Sequence, residues 1–254
     1  ADIKALFEPE PALEILPLAK EDDRSSVQKL AASYVKRQEK ELKEQQRLMS
    51  MYDYEGMFYD QGIYHVAGVD EVGRGPIAGP VTVAAVILPP MTLIPGLNDS
   101  KKLTEEKREA LYDIIMKEAV AVSCIFYGPE KIDELNIYEA TRQAMYEAIR
   151  TLSVPAEAVV ADAMKLPDLT IPVESIVKGD SKSANIAAAS IIAKVTRDRY
   201  MKQLDEEYPG YGFGIHKGYY TELHKEAVEQ QGVTPLHRKS FEPIKSIVRW
   251  VKPQ

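Results

Sequence analysis

The stretch His65–Pro90, HVAGVDEVGRGPIAGPVTVAAVILPP, decides how this chain is read. Val66 to Val69 is an apolar run short enough for a buried strand, and it ends on two adjacent carboxylates, Asp70 and Glu71. Gly73-Arg74-Gly75-Pro76 makes a turn, and a second β-branched run, Val81 to Leu88, is stopped by Pro89 and Pro90. Short apolar runs bounded by Gly and Pro suit strands better than helices. The stretch predicts strand, glycine turn, strand, with acids where the first strand meets the turn. Asp and Glu are depleted in strands, and two adjacent negative charges at a sheet end repel. A divalent cation turns that repulsion into a site, since Mg²⁺ is held by one or two carboxylates with waters and substrate phosphates. A solvated acidic turn is the plain alternative. The glycines favour a site, because backbone without side chains lets a substrate come close.

Outward from this hairpin, Leu97 to Lys102 is a polar loop. Thr104 reads as an N-cap, with Glu105 and Glu106 in the first turn of a helix to about Glu118. Ala119 to Tyr127 is a third strand, ended by Gly128-Pro129. A helix over Ile137 to Leu152 carries Tyr138, Thr141, Met145 and Ile149 on one side, and Pro155 stops it. Ala158 to Ala161 is a short strand ending on Asp162, and Ile171 to Val177 is another, closed by Lys178-Gly179-Asp180. A helix rich in small residues follows Ser183-Ala184. His237 to Phe241 opens a last amphipathic helix with Ile244, Ile247, Trp250 and Val251, and its basic lip could hold duplex backbone. This order suits a mixed sheet with helices packed on its faces.

Upstream, residues 1–24 are acidic, with seven acids against three bases, and Ile3, Leu6 and Phe7 hint at a short helix. From Ser25 or Ser26 to Met51, Val27, Leu30, Ala31, Tyr34, Val35, Leu42, Leu48 and Met49 trace a thinning helical stripe through the charged KRQEKELKEQQR segment. No sustained heptad supports a coiled coil. The expected division is an N-terminal extension over 1–62 and a catalytic domain over 63–254.

The 254 residues suffice for one large domain or a domain with an extension. The single cysteine, Cys124, excludes an intrachain disulfide and a thiolate cluster, reads as a buried inert thiol, and fits a reducing cytoplasm. No 18-residue apolar stretch and no signal-peptide pattern occur, so neither membrane nor export is expected. A net charge of −7 argues against a simple nucleic-acid coat, yet an acidic enzyme binds nucleic acid when bases cluster on one face and metals neutralise its centre.

Three strand ends thus carry acids: Asp70 with Glu71, Asp162, and Asp180. Catalytic groups on an open α/β sheet gather at strand ends. Four convergent carboxylates need cations, and two Mg²⁺ or Mn²⁺ ions about 3.5–4 Å apart would make a phosphodiester site. The helix starting at Ser183 would favour a phosphate nearby. The histidines, His65, His216, His224 and His237, read as structural or substrate-facing.

At this point five blocks in order resemble bacterial ribonuclease HII: VDEVGRGPIAGPVTVAAVIL, NDSKKLT, VVADAM, KGDSKSANIAAASIIAKVTRD and YGFGIHKGYYTELH. The leader resembles the N-terminal extension of Gram-positive members, and the GRG turn favours this type over its sister type. The resemblance implies a ribonuclease H-like fold: a mixed five-stranded sheet flanked by helices, with N-terminal and C-terminal helical segments. It implies metal-dependent cleavage of RNA paired with DNA, including single ribonucleotides in duplex DNA, cut on the 5′ side to leave a 3′-hydroxyl and a 5′-phosphate. Asp70, Glu71, Asp162 and Asp180 match the catalytic, metal-holding acids, with Asp180 acting on the second metal or by positioning water. Gly73, Arg74 and Gly75 match the turn that reads the ribose 2′-hydroxyl, and Tyr219 matches the tyrosine stacked at the RNA–DNA junction. Lys101 and Lys182, with Asn98, Ser100 and Asn136, are candidate phosphate or base-edge contacts. The protein is expected to be a cytoplasmic monomer, and the tail VKPQ carries no evident clamp-binding peptide.

Two other readings compete. GRGPIAG looks like a phosphate loop, but GxxxxGK[ST] is absent and the glycines lead into a strand. A non-enzymatic nucleic-acid binder would need a basic surface and no convergent acids.

Overall fold

Residues 3–7 and 14–252 are described in a computed structural model; Pro9 and Pro11 of the acidic leader and the last two residues of the tail lie outside them. The chain divides into two compact units at Met49 and Ser50. In the first, a 3-10 turn (Ile3–Phe7) and helices α1 (Ile15–Glu21) and α2 (Ser25–Ser50) gather Phe7, Ala19, Val27 and Ala31 into a small apolar cluster. The long helix is present, but its apolar stripe is broken, with Leu48 buried and its neighbours in the stripe exposed. Leu42 is 56% and Met49 51% exposed. The charged segment between Val35 and Leu48 is a solvated helix face. Helix α3 (Asp53–Tyr59) lies in the second unit, where Phe58 packs with Val66, Ala158 and Val160.

The second unit is built on five strands, β1 (Val66–Val72), β2 (Val81–Ile87), β3 (Ala121–Tyr127), β4 (Ala158–Asp162) and β5 (Val173–Ile176), in the order β3-β2-β1-β4-β5. β1 pairs antiparallel with β2, and β2 with β3, whereas β1–β4 and β4–β5 are parallel. The mixed sheet is as expected. Its helices are α4 (Glu105–Glu118), α5 (Pro129–Leu135), α6 (Ile137–Arg150), α7 (Ala184–Glu207), α8 (Phe213–His216), α9 (Glu222–Gln231) and α10 (Ile244–Val248). Thr104 caps α4 by accepting from Lys107 N–H. The short α5 escapes the periodicity because only Ile132 in it is buried. The last helix is shorter than predicted. Residues 237–241 are not helical, since Arg238 is buried and its segment bridges to Ala78.

Alternation along the strands sorts the two faces. Ala67, Val69, Val159 and Ala161 pack with Ala144, Met145 and Ala148 of α6, and Val66, Ala158 and Val160 pack with Ile186 of α7. Cys124 is half-buried and free, and burial pushes its thiol up to about 11.

α7 lies directly on β1. A Cβ at Gly68 would fall 2.0 Å from the Asn185 carbonyl carbon and 2.3 Å from Ile186 N. Buried Asn185 fixes this contact by donating to Val66 O at 2.7 Å and accepting from Leu88 N at 3.2 Å. Glu55 of α3 holds the start of the same helix, accepting from Ser183 Oγ at 2.6 Å and Asn185 N at 3.1 Å. Gly68→Ala should lift the helix off the strand. Overpacking of this kind costs about 1–3 kcal/mol, and urea unfolding should show the loss. An unchanged midpoint would mean that the helix can shift freely.

Candidate active site

Parity puts the acids together. Val69 lies opposite Ala161 across the parallel β1–β4 ladder, so Asp70 and Asp162, next in each strand, leave neighbouring strand ends on the α7 side. Asp180 joins them from the 3-10 turn Gly179–Ser181 after β5, where Gly179 N–H donates to Asp162 Oδ1 at 2.7 Å. Carboxylate oxygens of Asp70, Asp162 and Asp180 all lie within 4.8 Å of one another. Asp70 is 3% and Asp180 4% exposed. Burial, reinforced by the charges of Glu71 and Asp162, raises Asp70 well above the usual carboxylate range. Burial also raises Asp162, opposed by the Gly179 hydrogen bond and aided by Asp180.

Glu71 does not join the three. Successive strand residues alternate sides, and Glu71 pairs instead with Arg74 at 3.2 Å. Burial raises it and Arg74 opposes the rise. Its second oxygen, Oε2, is buried without a hydrogen-bond partner. Lys101 Nζ meets Asp180 Oδ2 at 3.1 Å. Burial acts to lower the Lys101 ammonium, but the Asp180 bond and charge win and raise it. One lysine leaves most of the acid charge unmatched. Hard oxygen donors, mutual repulsion and an orphaned buried oxygen fit a divalent cation.

Beside the acids, Gly73 turns the chain at φ +85°, and a Cβ there would meet Arg197 Nε at 2.3 Å. At Gly75 a Cβ would sit 3.5 Å from Tyr219 Cε1, so the tyrosine ring flanks the turn. Tyr219 is 48% exposed. Its loop is docked by Ile77 N and Ala78 N, which donate to Gly218 O at 3.0 and 3.3 Å.

A sequence profile described as Ribonuclease HII matches residues 67–244, and one described as Ribonuclease HII N-terminal domain matches residues 1–59. The chain is 53% identical to a Ribonuclease HII of Bacillus cereus over 232 residues, 91% of this chain and 90% of the relative. The chain belongs to the ribonuclease HII family. A Ribonuclease HII of Bacillus anthracis is 54% identical over 228 residues, 90% of this chain and 88% of that one. Among solved structures, ribonuclease H2 from Pyrococcus horikoshii superposes with a TM-score of 0.62 at 28% identity, over 72% of this chain and 97% of that one. Membership makes this chain a metal-dependent ribonuclease.

The other candidate residues sort differently. Lys182 is exposed, and its side chain makes no hydrogen bond or ion pair among the described residues. Asn136 caps α6, accepting from Tyr138 N and Glu139 N. Asn98 accepts from Asp99 N. Ser100 is buried against Ser190 of α7, their hydroxyls 2.8 Å apart. Arg238 corrects the basic-lip reading: it is 0% exposed and bonds backbone carbonyls rather than facing solvent. The motifs gave no separate role to Asn185, Ser190 and Arg197, and the wrong one to Arg238. The first three stand inside the matched block KGDSKSANIAAASIIAKVTRD, which was their only signal.

Three histidines support the Tyr219 loop, and the hydrogen bonds fix their tautomers. His237 Nδ1 accepts from Thr234 N at 3.0 Å, so its Nε2 carries the proton given to His224 Nε2 at 3.1 Å. His224 then donates from Nδ1 to Tyr219 O at 2.9 Å. His216 Nδ1 accepts from Gly218 N, and its Nε2 donates to Tyr211 O. All three are neutral in this arrangement. Burial lowers His216 and pushes both His224 and His237 down to about 4.

Two outcomes follow. Depressed histidines add stability that is present above about pH 6.5 and lost as the pH falls through about 4. Urea unfolding across that interval should show the loss, and His224→Gln should flatten it; an unaltered acid limb would remove these histidines as its cause. Raised acids act oppositely: without metal, stability falls as the pH climbs through the raised pKa of Asp70. Asp70→Asn should raise the metal-free melting temperature, at about 1.4 kcal/mol per pKa unit relieved, and abolish stabilisation by Mg²⁺ or Mn²⁺. A metal response surviving in Asp70→Asn would place the ion elsewhere.

Proposed function

We propose that the protein hydrolyses the RNA strand of RNA–DNA hybrids and cuts duplex DNA on the 5′ side of single embedded ribonucleotides, leaving a 3′-hydroxyl and a 5′-phosphate. It would so remove ribonucleotides from DNA, as a cytoplasmic monomer. Among the described residues no helix is long and apolar enough to cross a membrane. The observation that carries the reading is a juxtaposition: three clustered aspartates, Asp70 and Asp180 buried and Asp162 partly so, beside a glycine turn with a half-exposed tyrosine against it.

Asp70, Asp162 and Asp180, with the free oxygen of Glu71, would hold two ions, Mg²⁺ or Mn²⁺. When bound, such ions stabilise charge on phosphoryl oxygens and lower the pKa of a bound water. The chain's own residues do the rest. The ends of β1 and β4 and the 3-10 turn after β5 hold the carboxylates in place, so little reorganisation accompanies the reaction. Lys101 holds the Asp180 carboxylate in place. Gly73, Arg74 and Gly75 bring backbone to the ribose, whose 2′-hydroxyl separates RNA from DNA. Tyr219 offers a face for the neighbouring sugar or base, and Lys182 a contact for the phosphate backbone.

Cleavage of a labelled DNA duplex carrying one ribonucleotide checks this. A single cut 5′ to the ribonucleotide is expected, lost with chelator and with Asp70→Asn. Tyr219→Ala should cost about tenfold or more, the worth of one stacked base. Degradation of a long hybrid without any cut at the single site would overturn the roles of Gly73–Gly75 and Tyr219. No metal-dependent cleavage of either substrate would overturn the function.

A further inference from the structure

Two arginines lie under the glycine turn with no exposure at all, Arg197 and Arg238. Among the described residues neither forms an ion pair with a carboxylate. Their partners are backbone carbonyls of a single loop. Arg238 donates from Nη2 to Gly73 O at 2.5 Å, from Nη1 to Arg74 O at 2.8 Å and from Nε to Gly79 O at 3.0 Å. Arg197 donates from Nε to Pro80 O at 2.9 Å and from Nη2 to Ala78 O at 3.4 Å. Phe241 lies against Arg238, with its ring centroid 5.0 Å from the guanidinium carbon. Asp133 pins the segment that carries Arg238, accepting from Lys239 N and from Ser240 N and Oγ.

Burying a cation is costly unless hydrogen bonds satisfy it. Burying two near each other is costlier, and apolar side chains would fill the same space. What only a guanidinium does is hold several acceptors at set directions through its rigid fork of donors. The consequence lies on the other side of the peptide planes. In a trans peptide C=O and the following N–H point in opposite directions. Drawing Gly73 O and Arg74 O inward therefore turns the Arg74 and Gly75 N–H groups outward. Neither N–H has a hydrogen-bond acceptor among the described residues, and a Cβ at Gly75 would sit 3.5 Å from Tyr219 Cε1, so the turn flanks the tyrosine ring.

We propose that Arg238, with Arg197 beside it, is a positioning residue for ribose recognition: it orients the Gly73–Gly75 peptides so that two adjacent N–H groups face the substrate's 2′-oxygen. This rests on the proposed ribonucleotide substrate. It gives the turn its discrimination without Arg238 touching nucleic acid.

The test is affinity, in an Asp70→Asn background with Mg²⁺, for two duplexes identical but for one 2′-hydroxyl. Arg238→Met should lower the ribonucleotide-to-DNA affinity ratio about tenfold, while affinity for the all-DNA duplex stays within about twofold. Arg238→Lys keeps the charge but loses the fork, so its ratio should fall between the two. A merely structural role would weaken both duplexes alike and leave the ratio unchanged, and that result in a folded variant overturns the inference. Failure of both variants to melt cooperatively overturns it too, since Arg238 would then be a folding requirement. A parent protein with no preference for the ribonucleotide duplex would instead overturn the substrate itself, and this inference with it.

Discussion

The site depends on one contact, the laying of α7 onto β1 at Gly68, where no side chain larger than hydrogen fits. Everything chemical hangs from the helix face that this contact turns toward the sheet. Ile186 sits under Gly179, Ser190 against Ser100, Arg197 under Gly73 and Met201 under Gly79. These residues recur at helical spacing along one side, over about 22 Å of axis. The aspartate cluster and the glycine turn are thereby mounted on a single rigid rod. Asn185 and Glu55 fix its start.

Two kinds of buried charge coexist along that rod, and the chain treats them differently. The arginines under the turn are satisfied internally, by carbonyls that would otherwise lack partners in a loop with little regular structure. The aspartates accept hydrogen bonds but keep an excess of negative charge. Lys101 answers only Asp180, and burial with mutual repulsion raises Asp70 and Asp162. A structure that resolves one set and leaves the other strained is built to receive cations at the second. Residues held in costly states gather at functional sites for this reason. The neutral histidine relay ending at Tyr219 O does for the tyrosine loop what the arginines do for the glycine turn. Both are polar scaffolds behind surfaces that face outward.

Much of the architecture is legible in the linear chain. Strand, turn and strand over Val66 to Leu88 follow from local apolar runs and glycines, and the acids at three strand ends follow from reading where those runs stop. Thr104 as a cap and the helix over Ile137 to Arg150 are equally local. Five short blocks in order carried the family, because a motif is a local string.

What remains depends on how distant parts of the chain pack together. Strand parity and register, set by which face meets α6 and which meets α7, placed Asp70 beside Asp162 and left Glu71 with Arg74. The first half of α7 is buried all round, so no amphipathic stripe there announced which of its residues would reach the site. Arg238 belongs to a basic string, His237 to Lys239, that looks like a surface lip. It is buried because residues more than 150 positions away supply its carbonyl partners. A residue's burial is a property of distant chain brought against it, and no local pattern records that.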